Sequence, residues 1–182
     1  MTDPATGVAE LLRARIRDVA DFPEPGIVFK DVTPLLADHG AFTAAVEGLA
    51  APYRTERSDT VAGIEARGVI VGAPVAQLLG VGFVPVRKKG KLPGDVVAAS
   101  YDLEYGSATI EVTADAFAPG DRVLVVDDVL ATGGTAAATV DLVRRCGAEV
   151  AGIAVLIELG FLAGREVLAS VGAPAVHALL VA

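Results

Sequence analysis

Val123 to Thr135 read VLVVDDVLATGGT. An unbroken apolar, β-branched run of this kind suits a strand buried on both faces, the pattern of a parallel sheet covered by helices. The run ends in two adjacent acids, Asp127 and Asp128. A loop of small residues follows, Ala131-Thr132-Gly133-Gly134-Thr135, and a helical pattern covers about 134–146. Open parallel sheets bind ligands beyond the carboxyl ends of their strands. The glycines let successive N–H groups turn inward, the threonines add hydroxyl donors, and the helix N-terminus adds a favourable dipole, so the loop suits a phosphate. It lacks the Gly-Lys-Ser/Thr ending of a Walker A loop. Neighbouring carboxylates accept hydrogen bonds from vicinal hydroxyls and can help hold Mg²⁺. Strand end and loop together describe a site for a ribose 5-phosphate; the plainer reading is a glycine turn with an acidic cap.

Working outward, three more runs read as strands: 60–65 (TVAGIE), 81–88 (VGFVPVRK) and 149–158 (EVAGIAVLIE). Helical patterns at about 70–80 and 134–146 separate them, so right-handed βαβ crossovers are expected. Upstream, Val8, Leu11, Leu12, Ile16 and Val19 recur at helical spacing behind Asp3-Pro4, predicting a helix over about 4–20. Pro23, Pro25 and Pro34 interrupt regular structure over 21–36, and a second helix is expected over about 40–53. Residues 97–117 alternate polar and apolar and predict an antiparallel hairpin or mobile flap inserted in the α/β core. With no repeat, linker or low-complexity tract, one domain over 1–182 is expected.

Composition agrees. The chain has 182 residues, 53% hydrophobic and 21% charged, which suits a single globular domain. One cysteine, Cys146, excludes a disulfide framework, and His39 and His177 stand too far apart in sequence to suggest a histidine-rich metal site. The net charge of −8 opposes nucleic acid as a partner, although local cations can still hold a small anion. Mean hydropathy is high at +0.55. Yet the longest uncharged stretch, Gly68–Val86, carries Pro74, Pro85, Gln77 and four glycines, and reads as buried elements rather than a membrane span. No basic region followed by an apolar run opens the chain, so a soluble, cytoplasmic protein is expected.

The 123–135 string resembles the phosphoribosyl pyrophosphate (PRPP) motif of type I phosphoribosyltransferases, and nearly the whole chain resembles the branch of that family that acts on adenine. The resemblance is carried by DFPEPGIVFKDVTPLL at 21–36, GIEARG at 63–68, RKKGKLPG at 87–94, SYDLEYG at 100–106, LIEL at 156–159 and GRE at 164–166. It implies a mostly parallel sheet flanked by helices, an N-terminal hood over about 1–36 and a flexible β flap over about 95–117. It implies that the Glu65–Gly68 loop binds pyrophosphate with an unusual peptide geometry. There Arg67 offers a forked cation. Lys88 and Lys91 are implied at the pyrophosphate, with Arg87 reaching toward the other subunit of a homodimer. Asp127, Asp128 and Ala131–Thr135 (with Thr132, Gly133 and Gly134) are expected to complete the PRPP site; Mg²⁺ would be carried mainly by PRPP, with Asp127 the candidate among the two aspartates for a protein contact. Glu104 and Tyr105 are implied over the base, with Glu104 as general acid toward purine N7. Val28, Phe29, Lys30 and Leu159 are implied around adenine, Val28 and Lys30 through their backbones; the family commonly has arginine where this chain has Lys30. The implied reaction gives AMP and pyrophosphate. Two rivals share the PRPP loop: a transferase for guanine, hypoxanthine, xanthine or orotate, and a PRPP sensor without turnover.

Overall fold

The amino-terminal helix ends earlier than the apolar spacing predicts. In the computed structural model, which describes residues 4–102 and 107–182, α1 covers Pro4–Arg15. Ile16 follows it and Val19 lies in a strand, β1 (Arg17–Ala20), which pairs antiparallel with β2 (Val28–Asp31) in the register Arg17↔Asp31 to Ala20↔Val28. The cause is cross-strand pairing. Arg17 is bound to Asp31, and Lys30 Nζ donates to Asp18 Oδ1 at 2.8 Å, so two opposite-charge pairs bridge the ribbon. The proline-rich segment thus holds a strand, and then a short helix, α2 (Thr33–Ala37).

α3 (His39–Ala50) begins where Asp38 accepts from Ala41 N at 3.0 Å, and a 3-10 turn at Ala51–Tyr53 ends it. The chain continues through β3 (Thr60–Ile64), α4 (Arg67–Leu79), β4 (Gly82–Lys88), β5 (Val96–Asp102), β6 (Ser107–Thr113), β7 (Arg122–Leu130) and α5 (Gly134–Arg145). It closes with β8 (Glu149–Glu158), a 3-10 turn at Gly160–Leu162, α6 (Gly164–Ser170) and β9 (Val176–Val181).

Seven strands form one sheet in the order β5-β6-β4-β3-β7-β8-β9. The pairs β4–β3, β3–β7, β7–β8 and β8–β9 are parallel. β5 and β6 form the expected antiparallel hairpin, attached to the sheet edge by Arg87↔Glu111 and Lys88↔Ile110. Each sheet face carries its own apolar layer. Val71, Val75 and Ala76 of α4 pack with Val61, Leu124 and Val126 on one face. Ala136, Val140, Leu142 and Val143 of α5 pack with Ala62, Val125 and Ile153 on the other. All of β3 is buried, which explains why it reads as unbroken hydrophobicity. No helix among the described residues is long and apolar enough to cross a membrane.

Candidate active site

The strand order creates the site. From β3 the chain steps to β4 on one side, and β7 later joins β3 on the other, so the order of strand addition reverses between the parallel neighbours β3 and β7. α4 leaves toward one face and α5 toward the opposite one, and the two loops part at the carboxyl ends of the strands. Such a switch point is the usual ligand crevice of an open α/β sheet.

The β7–α5 loop lines a hollow with Ala131, Thr132, Gly133, Gly134 and Thr135. Gly133 has φ +86°, and a Cβ there would lie 2.6 Å from Gly164 O. Only glycine fits both demands. Beside this hollow, and sharing Asp127 and Thr135 with it, lies a cleft of about 470 Å³ whose wall includes Phe29, Glu65, Arg67, Lys88, Tyr101 and Asp128.

Asp128 is buried, at 6% exposure, yet its Oδ2 has no hydrogen-bond partner. Arg67 Nε stands 2.6 Å from that oxygen, close enough for an ion pair but without hydrogen-bond alignment. Asp127 Oδ1 accepts from Asp128 N at 2.8 Å and presses against α4, where a Cβ on Gly68 would meet it at 2.7 Å. Burial first, and the Asp128 charge second, push the Asp127 carboxyl well above its ordinary pKa. An unpaired Asp128 oxygen beside the Asp127 carboxyl suits a diol, a proton or a cation. Among the described residues no cluster of three or more metal-ligating side chains forms, so a metal held here would take most of its ligands from elsewhere.

The second loop supplies cations. The Glu65–Ala66 peptide is cis. Glu65 Oε2 accepts from Arg87 Nε at 2.8 Å and from Lys88 N at 2.8 Å. The Arg87 bond, then the Lys88 amide, hold the Glu65 carboxyl below its usual range. The Nε of Arg87 is therefore engaged by Glu65 of its own chain. Arg67 also covers Phe29, with its guanidinium carbon 4.7 Å from the ring centroid, and Phe22 meets Phe29 edge-on at 5.1 Å.

The structure thus gathers Phe29, Arg67, Lys88, Asp127, Asp128 and Ala131–Thr135 into two adjoining hollows. Val28, Lys30, Arg87, Lys91 and Leu159 stand outside these walls. The Lys30 ammonium is held by both oxygens of Asp18. Leu159 packs against the apolar layer on the α4 face, and its amide donates to Leu130 O at 2.9 Å. Glu104 and Tyr105 lie outside the described residues. Tyr101 is an addition: Thr135 Oγ1 donates to its hydroxyl at 2.9 Å, joining the hairpin to the start of α5 beside the glycine loop. The period of two in β5, which puts Tyr101 on the same face as buried Ala99, was the signal available for it.

A phosphate loop, an acidic strand end and a cationic loop at one switch point define a phosphoribosyl-binding fold. The profile of the phosphoribosyl transferase domain matches residues 35–166, and the chain belongs to this family. Among its relatives, the adenine phosphoribosyltransferase of Streptomyces coelicolor is 64% identical over 176 residues, 96% of each chain. The crystal structure of adenine phosphoribosyltransferase from Rhodothermus marinus superposes with a TM-score of 0.89 at 52% identity, over 97% of this chain and 99% of that one. The Saccharomyces cerevisiae enzyme, complexed with an imino-altritol bisphosphate and adenine, gives a TM-score of 0.89 at 38% identity, over 96% and 99% of the two chains.

Proposed function

We infer that this chain transfers the 5-phosphoribosyl group from PRPP to adenine, giving AMP and pyrophosphate, the reaction of purine salvage. The observation that carries the PRPP half is the glycine loop Thr132–Thr135 lying beside buried Asp128, whose Oδ2 is left without a hydrogen-bond donor. Adenine as acceptor rests on the relatives, which bear that enzyme's name at up to 64% identity over nearly the full chain.

Each group then has a task. Loop amides and the Thr132 and Thr135 hydroxyls anchor the 5-phosphate, so that binding energy orients the ribose. Asp127 and Asp128 accept from the ribose hydroxyls. Arg67, Lys88 and Lys91 receive the pyrophosphate, while Arg87 braces their strand through Glu65 and contacts the second subunit of a homodimer. Phe29, with the backbones of Val28 and Lys30 and the side chain of Leu159, forms the base pocket. In the reaction adenine N9 forms its bond to the anomeric carbon as the bond to the pyrophosphate oxygen breaks. Glu104 lends a proton to N7 as N9 attacks, the N9 proton passes to the departing pyrophosphate, and N7 returns its proton to the Glu104 carboxylate as AMP forms, while Tyr105 helps cover the base. Closing the flap excludes water from the oxocarbenium-like sugar. The unpaired Asp128 oxygen beside Asp127 fits Mg²⁺ bound mainly by PRPP, with Asp127 as protein contact; the ion would neutralise charge on the leaving group. The enzyme would work in the cytoplasm.

The test is a base panel: PRPP and Mg²⁺ with adenine, guanine, hypoxanthine, xanthine and orotate, each product resolved by chromatography. AMP from adenine is expected. Preference for another base would keep the PRPP site and overturn the base pocket; PRPP binding without any product would favour a sensor.

A further inference from the structure

Among the few buried charged side chains of the described residues is one that the reaction above does not use. Glu111 lies at the centre of β6 and is 5% exposed. In register it faces Arg87 of β4 on one side and Ala98 of β5 on the other. Its Oε2 accepts from Gly90 N at 2.9 Å. Gly90 is the middle of the basic turn that carries Lys88, Lys89 and Lys91.

That turn needs holding. Its ammonium groups repel one another, and its lysines are exposed. Four hydrogen bonds fasten its backbone: Lys88 N to Glu65 Oε2 at 2.8 Å, Lys91 N to Lys88 O at 3.2 Å, Lys89 N to Thr109 O at 3.1 Å, and Gly90 N to Glu111 Oε2. Two of the four come from β6, the return strand of the hairpin. Glu65 holds the start of the turn and Glu111 its middle; both acceptors are charged, and the Glu111 carboxylate lies out of water.

We propose that Glu111 is a positioning residue for PRPP: its buried carboxylate fixes the Gly90 amide and so presents Lys88 and Lys91 to the pyrophosphate, tying the cationic turn to the flap hairpin. This rests on the phosphoribosyl-transfer reading, and it assigns Glu111 no contact with substrate.

Two near-isosteric variants test it. Glu111→Gln keeps an oxygen that can accept from Gly90; Glu111→Met keeps the volume and removes the acceptor. For Met, the KM for PRPP should rise about tenfold, the value of one charge-assisted bond, with kcat and the adenine KM within about twofold. The Ki of inorganic pyrophosphate should rise in parallel. Glu111→Gln should return both constants to within about threefold of the parent chain. A PRPP KM unchanged in the Met variant would overturn the proposal, as would a Gln variant as poor as Met. Should the Met variant fail to fold, hydrogen exchange of the Gly90 amide in the unaltered chain decides. Slow exchange without ligand is expected, and exchange at the free-peptide rate overturns the anchor. An unaltered chain that turns over no PRPP would sink the functional reading, while the Gly90 exchange would still report on the Glu111 anchor.

Discussion

Arg67 Nε lies 2.6 Å from Asp128 Oδ2, a pairing between the loop that reads as the pyrophosphate binder and the acid that reads as the ribose clamp. The same guanidinium covers Phe29, so one side chain at the start of α4 meets both the end of β7 and β2. Arginine suits this position because its flat face stacks while its edge donates in a fork. In the proposed reaction PRPP would compete for both partners of this pair, gaining a cation for its pyrophosphate and a carboxylate for its ribose.

Replacing Arg67 should therefore hurt PRPP more than adenine. Arg67→Gln is expected to lower kcat/KM for PRPP by about 10–100-fold, the range of one charge-assisted hydrogen bond. Arg67→Lys should recover only part of it, since an ammonium neither forks nor stacks as well. Steady-state kinetics with PRPP varied at saturating adenine measure this, and full recovery by lysine would show that charge alone matters.

Asp128→Asn tests the other partner. The substitution keeps shape and burial but turns one acceptor into a donor facing Arg67. Activity should fall roughly 10–100-fold in kcat/KM for PRPP, with the melting profile close to that of the parent. Near-normal kcat/KM would remove Asp128 from the ribose.

The sheet and its crevice were legible because the buried strands are chemically uniform. β8 was placed at 149–158, and the structure gives Glu149–Glu158, since a strand covered on both faces leaves an unbroken apolar run. The same reasoning failed where pairing outweighs periodicity. Ile16 and Val19 continue the helical spacing of α1, yet the Arg17–Asp31 and Lys30–Asp18 pairs draw that segment into a ribbon. α6 and β9 went unread because each is short and the second is only partly buried. At the site, the glycine loop and the twin acids carry their chemistry in order along the chain. The Tyr101–Thr135 bond and the Glu111–Gly90 anchor join residues far apart in sequence, and no local pattern encodes such partners.

Asp127 gives a pH signature. Its folded pKa is raised, so between its ordinary value near 3.8 and the raised one the folded chain binds more protons than the unfolded chain. Stability contributed at this position is therefore present at low pH and lost as pH rises through the folded pKa. Asp127→Asn removes the loss. The variant should melt above the parent at pH 8 and close to it at pH 4. Each pH unit of displacement is worth about 1.4 kcal/mol, or roughly 3–5 °C in a chain of this size. Activity should fall at the same time. Calorimetric scans across pH measure the difference, and a melting gap that is constant with pH would deny the burial cost.

Glu104 can be tested without knowing where its side chain rests. If it donates to adenine N7, the proton matters only once the bond to the sugar begins to form. Binding of PRPP alone should then be indifferent to it. Glu104→Gln keeps size and hydrogen-bonding capacity and removes the transferable proton. It should lower the rate of the chemical step by about 10²–10⁴-fold while PRPP affinity stays within about twofold. Single-turnover measurement is needed, because slow product release would hide a change in chemistry under steady-state conditions. An unchanged single-turnover rate would take Glu104 out of the reaction and leave the flap to act through Tyr101 and the exclusion of water.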